Sequence, residues 1–313
     1  MQLMTFSDAS GTRIGVLEDR QILDVSKSSI QEPPASGPTT RYADMLALIE
    51  AGEAGIRHIE ALCSRARETG AVLPASAVEV LAPIPRPRKN IFCVGRNYAE
   101  HAAESFRASG EEMILPESPN IFTKAVTTVN GPYADIPFDP TVSRQIDWEV
   151  ELAVVIGKGG RHIREEEALS HVFGYTVLND ITARDIQNQP GIQWFQGKSI
   201  DGSCPMGPCL VTADEIPDPQ ALRLHLEVNG ISKQDSTTGL MLFSVATIIA
   251  RLSGILTLEP GDIIATGTPS GVGNGRVPKE FLAPGDRVES TVEGIGTMRN
   301  TVVLVERRAA PGT

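Results

Sequence analysis

The chain has 313 residues, of which 39 are acidic and 28 basic, for a formal net charge of −11 at pH 7. That balance, with no basic cluster, argues against nucleic acid or an anionic membrane surface as partner, because both need a positive footprint. An apolar share of 41% without any run approaching the ~20 residues of a membrane span describes a globular chain with a sizeable core, and its length suits two domains.

The opening "MQLMTFSDASG" lacks a basic segment followed by an apolar one, so no secretion signal is expected. Cys63, Cys93, Cys204 and Cys209 form no C-x-x-C pair and have no histidine at zinc-finger spacing. Reduced thiols in a cytoplasmic protein are the expectation.

In chain order, residues 1–80 read as a small α+β domain. "RIGVLEDRQILDVS" alternates like two strands about a Glu18-Asp19 turn. "RYADMLALIE" and "AGIRHIEALCSRARE" carry helical spacing, separated at Ala51-Gly52. "LAPIPRPRKN", with three prolines in ten residues, suits an extended connector, and the boundary is placed there. Residues 81–313 are then strand-dominated. "NIFCVG", "ELAVVIG", "VFGYTVLND", "RLHLEVNG", "DIIATG" and "DRVESTVEGIGTMRNTVV" read as strands bounded by Gly, Pro, Asn or Asp. "YAEHAAESF", "REEEALSHV", "ITARDIQNQ" and "LFSVATIIARLSG" read as helices. The fold class is mixed α/β and β-rich, not a doubly wound sheet.

The chemistry-bearing stretches stand at the junctions of these elements. In "DWEVELAVVIG", Glu149 and Glu151 share one strand face while Trp148, Val150 and Leu152 point the other way. From Leu152 to Ile156 both faces are apolar, the pattern of a strand covered on both sides. Two like charges at such a strand need a cation or a proton; the plain alternative is a solvated strand end. Asp180 closes the strand "VFGYTVLND", where it is either a helix N-cap or a third acid beside the two glutamates. Three acids at neighbouring strand ends would make an all-oxygen site suited to Mg2+ or Mn2+ rather than to structural zinc.

His101 and Glu104 in "GRNYAEHAAE" are three apart and share a helical face, as an oriented general base would or as a surface pair would. "GKSIDGSCPMGP" sets Lys198 among glycines and prolines, where it could reach into a cleft. "ATGTPSGVGNG" is a glycine-rich turn with neither phosphate-loop nor nucleophile-elbow spacing, open to a backbone approach to ligand or to a plain structural role. "SFRASGEEMILPESPN" (105–120) reads as a lid over the substrate or as an ordered surface loop.

Taken in order, "GRNYAEHAAE", "DWEVELAVVIG", "YTVLNDITARD", "GKSIDGSCPMGP", "TGTPSGVG" and "PGDRVESTVEGIGTMRNTV" resemble the fumarylacetoacetate hydrolase superfamily, from about Asn90 to Val303. The resemblance implies a mixed β-sandwich roll core behind a small N-terminal domain, and a homodimer. It implies Mg2+, Mn2+ or Ca2+ held by Glu149, Glu151 and Asp180, a catalytic His101–Glu104 dyad, and roles for Lys198 and for Thr268 of the TGTP turn. Arg96, Tyr98, Lys124, Arg184, Gln193 and Thr268 are the candidates for contact with a small keto-acid substrate. On this footing the first expectation is C–C hydrolysis of an acylpyruvate or fumarylpyruvate through a metal-stabilised enolate. Its alternative is decarboxylation or isomerisation of oxaloacetate or hydroxydienoate-type 2-keto acids at the same site. A metal-dependent binding protein without turnover is the third reading.

Overall fold

The computed structural model describes residues 1–26, 42–110 and 112–305. Among these, twelve strands form one sheet and five another. The main path of the large sheet runs Val72–Pro74, Gln21–Leu23, Gly11–Glu18, Gln2–Asp8, Cys204–Thr212, Val172–Asn179, Val150–Ile156, Ile263–Ala265, Ile91–Gly95, Asn120–Lys124. The smaller sheet runs Ile231–Thr237, Arg223–Val228, Arg287–Val292, Gly296–Leu304, Ile136–Phe138.

The alternation along the central strand divides the core in two. Val150, Leu152, Val154 and Ile156 face the smaller sheet and pack with Leu224, Leu226, Val288 and Met298. Ala153 and Val155 face the opposite way, where Met45, Leu48, Ile49 and Ile59 from the helices Met45–Glu50 and Gly52–Thr69 close the far side. The result is a mixed, strand-rich sandwich roll with few helices. All seven residues of the 150–156 strand are buried, and each large aliphatic side chain among them contributes roughly 1.5–3 kcal/mol of transfer free energy. That drive holds the strand in place although acids stand at its head.

Helix starts follow local chemistry. Ala47 N–H donates to Asp44 Oδ1 at 2.8 Å, and Thr247 N–H donates to Ser244 Oγ at 3.1 Å ahead of the helix Val245–Ile255. No helix among the described residues is long and apolar enough to cross a membrane.

Several elements differ from the sequence expectation. "ITARDIQNQ" is a short strand, Thr182–Ala183, followed by one helical turn, Arg184–Gln187, because Thr182 and Ala183 pair with Ile146–Asp147. "REEEALSHV" is a 3-10 helix over Glu165–His171. Cys204–Thr212 is a fully buried strand concealed by its prolines and Gly207; its pairing with Val172–Asn179 skips register where Pro208 lacks a donor. Of the expected 105–120 loop, the first five residues belong to the helix Ala99–Ser109, and Met113, Ile114 and Leu115 beyond it are exposed. The sheet is continuous across residue 80: Gln2–Asp8 pairs antiparallel with Cys204–Thr212, Leu3 opposite Leu210.

Sheet order also explains where a site can form. The 150–156 strand is antiparallel to both 172–179 and 263–265, and 263–265 is parallel to 91–95. The head of the first and the tails of the other three therefore meet at one end of the sheet. The helix 99–109 and the glycine-rich turn after Ala265 leave from that same end.

Candidate active site

Val150 pairs with Asn179, and Asp180 N–H donates to Glu149 O at 2.9 Å, which brings Asp180 beside the two glutamates. Glu149, Glu151 and Asp180 are all buried, and each offers a carboxylate oxygen lying within 4.8 Å of the others. Three cations reach them. Arg184 Nη2 donates to Glu149 Oε1 at 2.6 Å, and its Nε donates to Asp147 Oδ2 at 2.7 Å. Lys198 Nζ donates to both Glu149 Oε2 and Asp180 Oδ2 at 2.7 Å. Lys124 Nζ lies 2.8 Å from Asp180 Oδ1.

Four buried acids, Asp147, Glu149, Glu151 and Asp180, thus face three cations, and the imbalance falls on Glu151. Its Oε2 accepts only the Gly267 N–H, at 2.7 Å. Burial, then the neighbouring Asp180 and Glu149, push the Glu151 carboxyl well above its ordinary range. Burial pushes Glu149 up as well, but the Lys198 ammonium and the Arg184 guanidinium outweigh it and hold that carboxyl at about 2. A buried carboxylate without a counter-charge is costly, by several kcal/mol. A hard divalent ion, with oxygen ligands at roughly 2.0–2.6 Å, would supply the missing charge and suits the oxygen spacing. The donor set fits such a metal.

The opposite wall belongs to the 99–109 helix. His101 is buried, with Nδ1 3.9 Å from Glu104 Oε2 and no hydrogen-bond partner on that nitrogen. Glu104 instead accepts the Gly271 N–H on both oxygens, at 3.1 and 3.0 Å. Between the walls lies a cleft of about 80 Å3, lined by His101, Glu149, Glu151, Lys198, Arg96, Arg184 and Thr268 among others. Arg96 stacks its guanidinium 4.1 Å over the Phe106 ring and 5.6 Å over Trp194. Trp194 closes so tightly on Gly95 that a Cβ there would lie 2.3 Å from its ring.

Not every residue expected at the cleft is on its wall. Lys124 is completely buried beneath Asp180, where it also donates to Ile181 O at 3.1 Å. It cannot meet substrate there, because strand alternation turns it inward. Gln193 caps the short helix Trp194–Lys198 with its side chain exposed, while Trp194 lines the cleft. Tyr98 is buried away from the lining, and its hydroxyl has no hydrogen-bond partner. Arg184 reaches the cleft, but its guanidinium is committed to Asp147, Glu149 and Gln187. Thr268 lines the cleft while its Oγ1 donates to Val150 O at 2.9 Å.

Other participants went unread. Asp147 accepts N–H groups of Trp148, Gly273 and Asn274 besides Arg184, and its strand parity with 149 and 151 was the available signal. Gln187 lines the cleft three residues after Arg184, a helical-turn spacing that offered a weaker signal. Asn274 offered none.

A sandwich roll with a buried all-carboxylate cluster and a histidine across a small cleft defines an enzyme class, and residues 90–303 match the family model described as fumarylacetoacetate (FAA) hydrolase C-terminal. The chain belongs to that family of enzymes. It is 42% identical to oxaloacetate tautomerase YisK of Bacillus subtilis over 292 residues, which are 92% of this chain and 94% of that protein. It is 45% identical to the mitochondrial oxaloacetate tautomerase FAHD2A of Homo sapiens over 233 residues, 74% of this chain and 72% of that one. Among solved structures, maleylpyruvate hydrolase from Sphingobium sp. SYK-6, in complex with manganese(II) ion and pyruvate, superposes with a TM-score of 0.75 at 31% identity, covering 98% of this chain and 100% of that one.

Proposed function

We propose that this enzyme interconverts the keto and enol forms of a compact 2-oxo diacid of the oxaloacetate type, with Mg2+ or Mn2+ held by Glu149, Glu151 and Asp180. The observation that carries the reading is the 42% identity to an oxaloacetate tautomerase across 92% of the chain, joined to a cleft that sets one histidine opposite a metal-type acid cluster. It favours the isomerase alternative over the C–C hydrolysis expected first.

Tautomerisation moves one proton between the carbon beside a carbonyl and the carbonyl oxygen. It needs a proton carrier and something to draw charge from the oxygen. When bound, the ion supplies that Lewis-acid polarisation. His101 takes the proton from carbon and delivers it to the enolate oxygen, and does the reverse in ketonisation, with Glu104 orienting the ring. The Lys198 ammonium, between Glu149 and Asp180 on the cleft wall, stabilises negative charge on the substrate's carboxylate and enolate oxygens. Arg96, positioned by Phe106 and Trp194, faces the distal carboxylate. The homodimer belongs to the same proposal; light scattering should return twice the mass of the chain.

The test dilutes enol-oxaloacetate from aprotic solvent and follows the decay of its ultraviolet absorbance, with Mg2+ or Mn2+ and with EDTA. Metal-dependent acceleration, absent in His101→Gln, is the expected result. No acceleration, with pyruvate released from an acylpyruvate, would return the enzyme to hydrolysis. Pyruvate and CO2 from oxaloacetate at the tautomerisation rate would make it a decarboxylase.

A further inference from the structure

The glycine-rich turn after Ala265, left open between ligand approach and plain structure, touches both walls of the cleft through its backbone. Gly267 N–H donates to Glu151, Gly271 N–H to Glu104, and Gly273 and Asn274 N–H to Asp147. On the helix side the contacts follow one stripe at helical spacing. Ser270 Oγ donates to Glu100 Oε2 at 2.9 Å, Gly271 N–H holds Glu104, and Arg107 Nη2 donates to Gly275 O at 3.4 Å. Residues 100, 104 and 107 are thereby tied to residues 270–275.

Gly275 is where the turn's backbone lies directly against the Glu104 side chain. A Cβ built there would stand 3.0 Å from Glu104 Cβ, 3.1 Å from its Cδ and 3.2 Å from its Oε2. Gly275 has no positive φ, so alanine is compatible with its backbone, and the glycine is needed for space. Glu104 in turn is paired with His101 at 3.9 Å, and the buried Nδ1 of that ring has no hydrogen bond of its own.

We propose that the 267–275 turn positions the proton carrier: the Gly271 N–H and the space left at Gly275 set Glu104 against His101, making Gly275 a positioning residue for proton transfer. The proposal rests on the reading of His101 as that carrier. A carboxylate beside one ring nitrogen of a neutral histidine favours the proton on that nitrogen, and Glu104 Oε2 lies 3.9 Å from Nδ1, so displacing Glu104 should redistribute the proton.

The experiment compares wild type, Gly275→Ala, Ser270→Ala and Glu104→Gln as full-length, Mg2+-loaded proteins. Ring 15N spectra are recorded where the histidine is neutral, alongside Mn2+ affinity and tautomerase kinetics. The chain has five histidines, and His101→Gln assigns the signal. Gly275→Ala should move the His101 ring signals in the direction of Glu104→Gln and lower kcat several-fold, since contacts of 3.0–3.2 Å ask Glu104 to give by less than the ~1 Å that costs about 10²-fold. KM, Mn2+ affinity and the other four histidines should not change. Ser270→Ala, which loosens only the exposed first turn, should move the same signals less. Unmoved His101 signals in Gly275→Ala and Ser270→Ala overturn the proposal, as does Glu104→Gln leaving them unmoved. Loss of Mn2+ binding in Gly275→Ala also overturns it, since a merely structural glycine behaves so. Ring signals that move as expected in a protein without tautomerase activity sink the functional reading and leave the positioning role standing.

Discussion

The two walls of the cleft are held by different forces. On the strand wall, Glu149, Glu151 and Asp180 are set by sheet register, and Glu149 and Asp180 are gripped by Arg184, Lys198 and Lys124 at 2.6–2.8 Å. On the helix wall, His101 and Glu104 stand 3.9 Å apart, and Glu104 is held by one backbone N–H. Charge that must stay fixed is built into adjacent core strands. The proposed proton carrier is mounted on an eleven-residue helix docked through a glycine turn. Geometry on the first wall is over-determined, while on the second it rests on few contacts.

Breaking the strand wall should have the largest effect. Asp180→Ala or Glu151→Ala should lower Mn2+ affinity by on the order of 10²-fold or more, measured by calorimetry, and abolish turnover together with it. A variant that keeps its affinity would remove that residue from the ligand set. On the helix wall, His101→Gln should leave Mn2+ binding intact and lower kcat by roughly 10²–10⁴-fold, the range for loss of a general acid-base. Affinity and rate falling together there would erase the distinction between the walls.

Arg184→Met sharpens the claim that the strand wall is locked by charge. It leaves Asp147 and Glu149 buried with one cation fewer, and should cost about 3–5 kcal/mol in urea unfolding of the metal-free protein. A loss below 1 kcal/mol, by the same measure, would mean that water already reaches the pair. The smallest expected signal comes from the thiols. Burial pushes Cys63 up to about 11 and Cys204 and Cys209 up to about 12, and raises Cys93 as well. At mildly alkaline pH an aromatic disulfide reagent should find no reactive sulfhydryl in the native protein and all four once it is unfolded. Rapid native labelling would expose an interior looser than the packing shows.

What was legible in the sequence follows the same division. Strand alternation put Glu149 and Glu151 on one face, an apolar run ending in Asp180 gave a third acid, and a three-residue spacing paired His101 with Glu104. These are local patterns; the family resemblance gave them roles. The charges that complete the site are not local. Lys124 reads as a substrate binder until the Asn120–Lys124 strand is seen to turn it under Asp180, 56 residues on, and so does Arg184 until Asp147 claims its Nε. The glycine turn gave no sign of its partners, since a backbone N–H has no signature in the residue that carries it. The first reaction chosen, hydrolysis, leaned on the dyad alone, and a histidine beside a glutamate serves proton transfer to carbon as well as to water.

The antiparallel pairing of Leu3 with Leu210 also bears on how the protein is made. The strand Gln2–Asp8 leaves the ribosome early, but its partner Cys204–Thr212 follows about two hundred residues later. Glu79–Leu81 takes Thr5–Ser7 on that edge, but at translation rates of roughly 5–20 residues per second Gln2 and Leu3 wait on the order of 10–40 s for Val211 and Leu210. Contacts of such long range slow folding and leave apolar β-strands open to chance partners. Yield in a cell should therefore respond to chaperone supply and growth temperature more than the stability of the finished sheet alone would suggest.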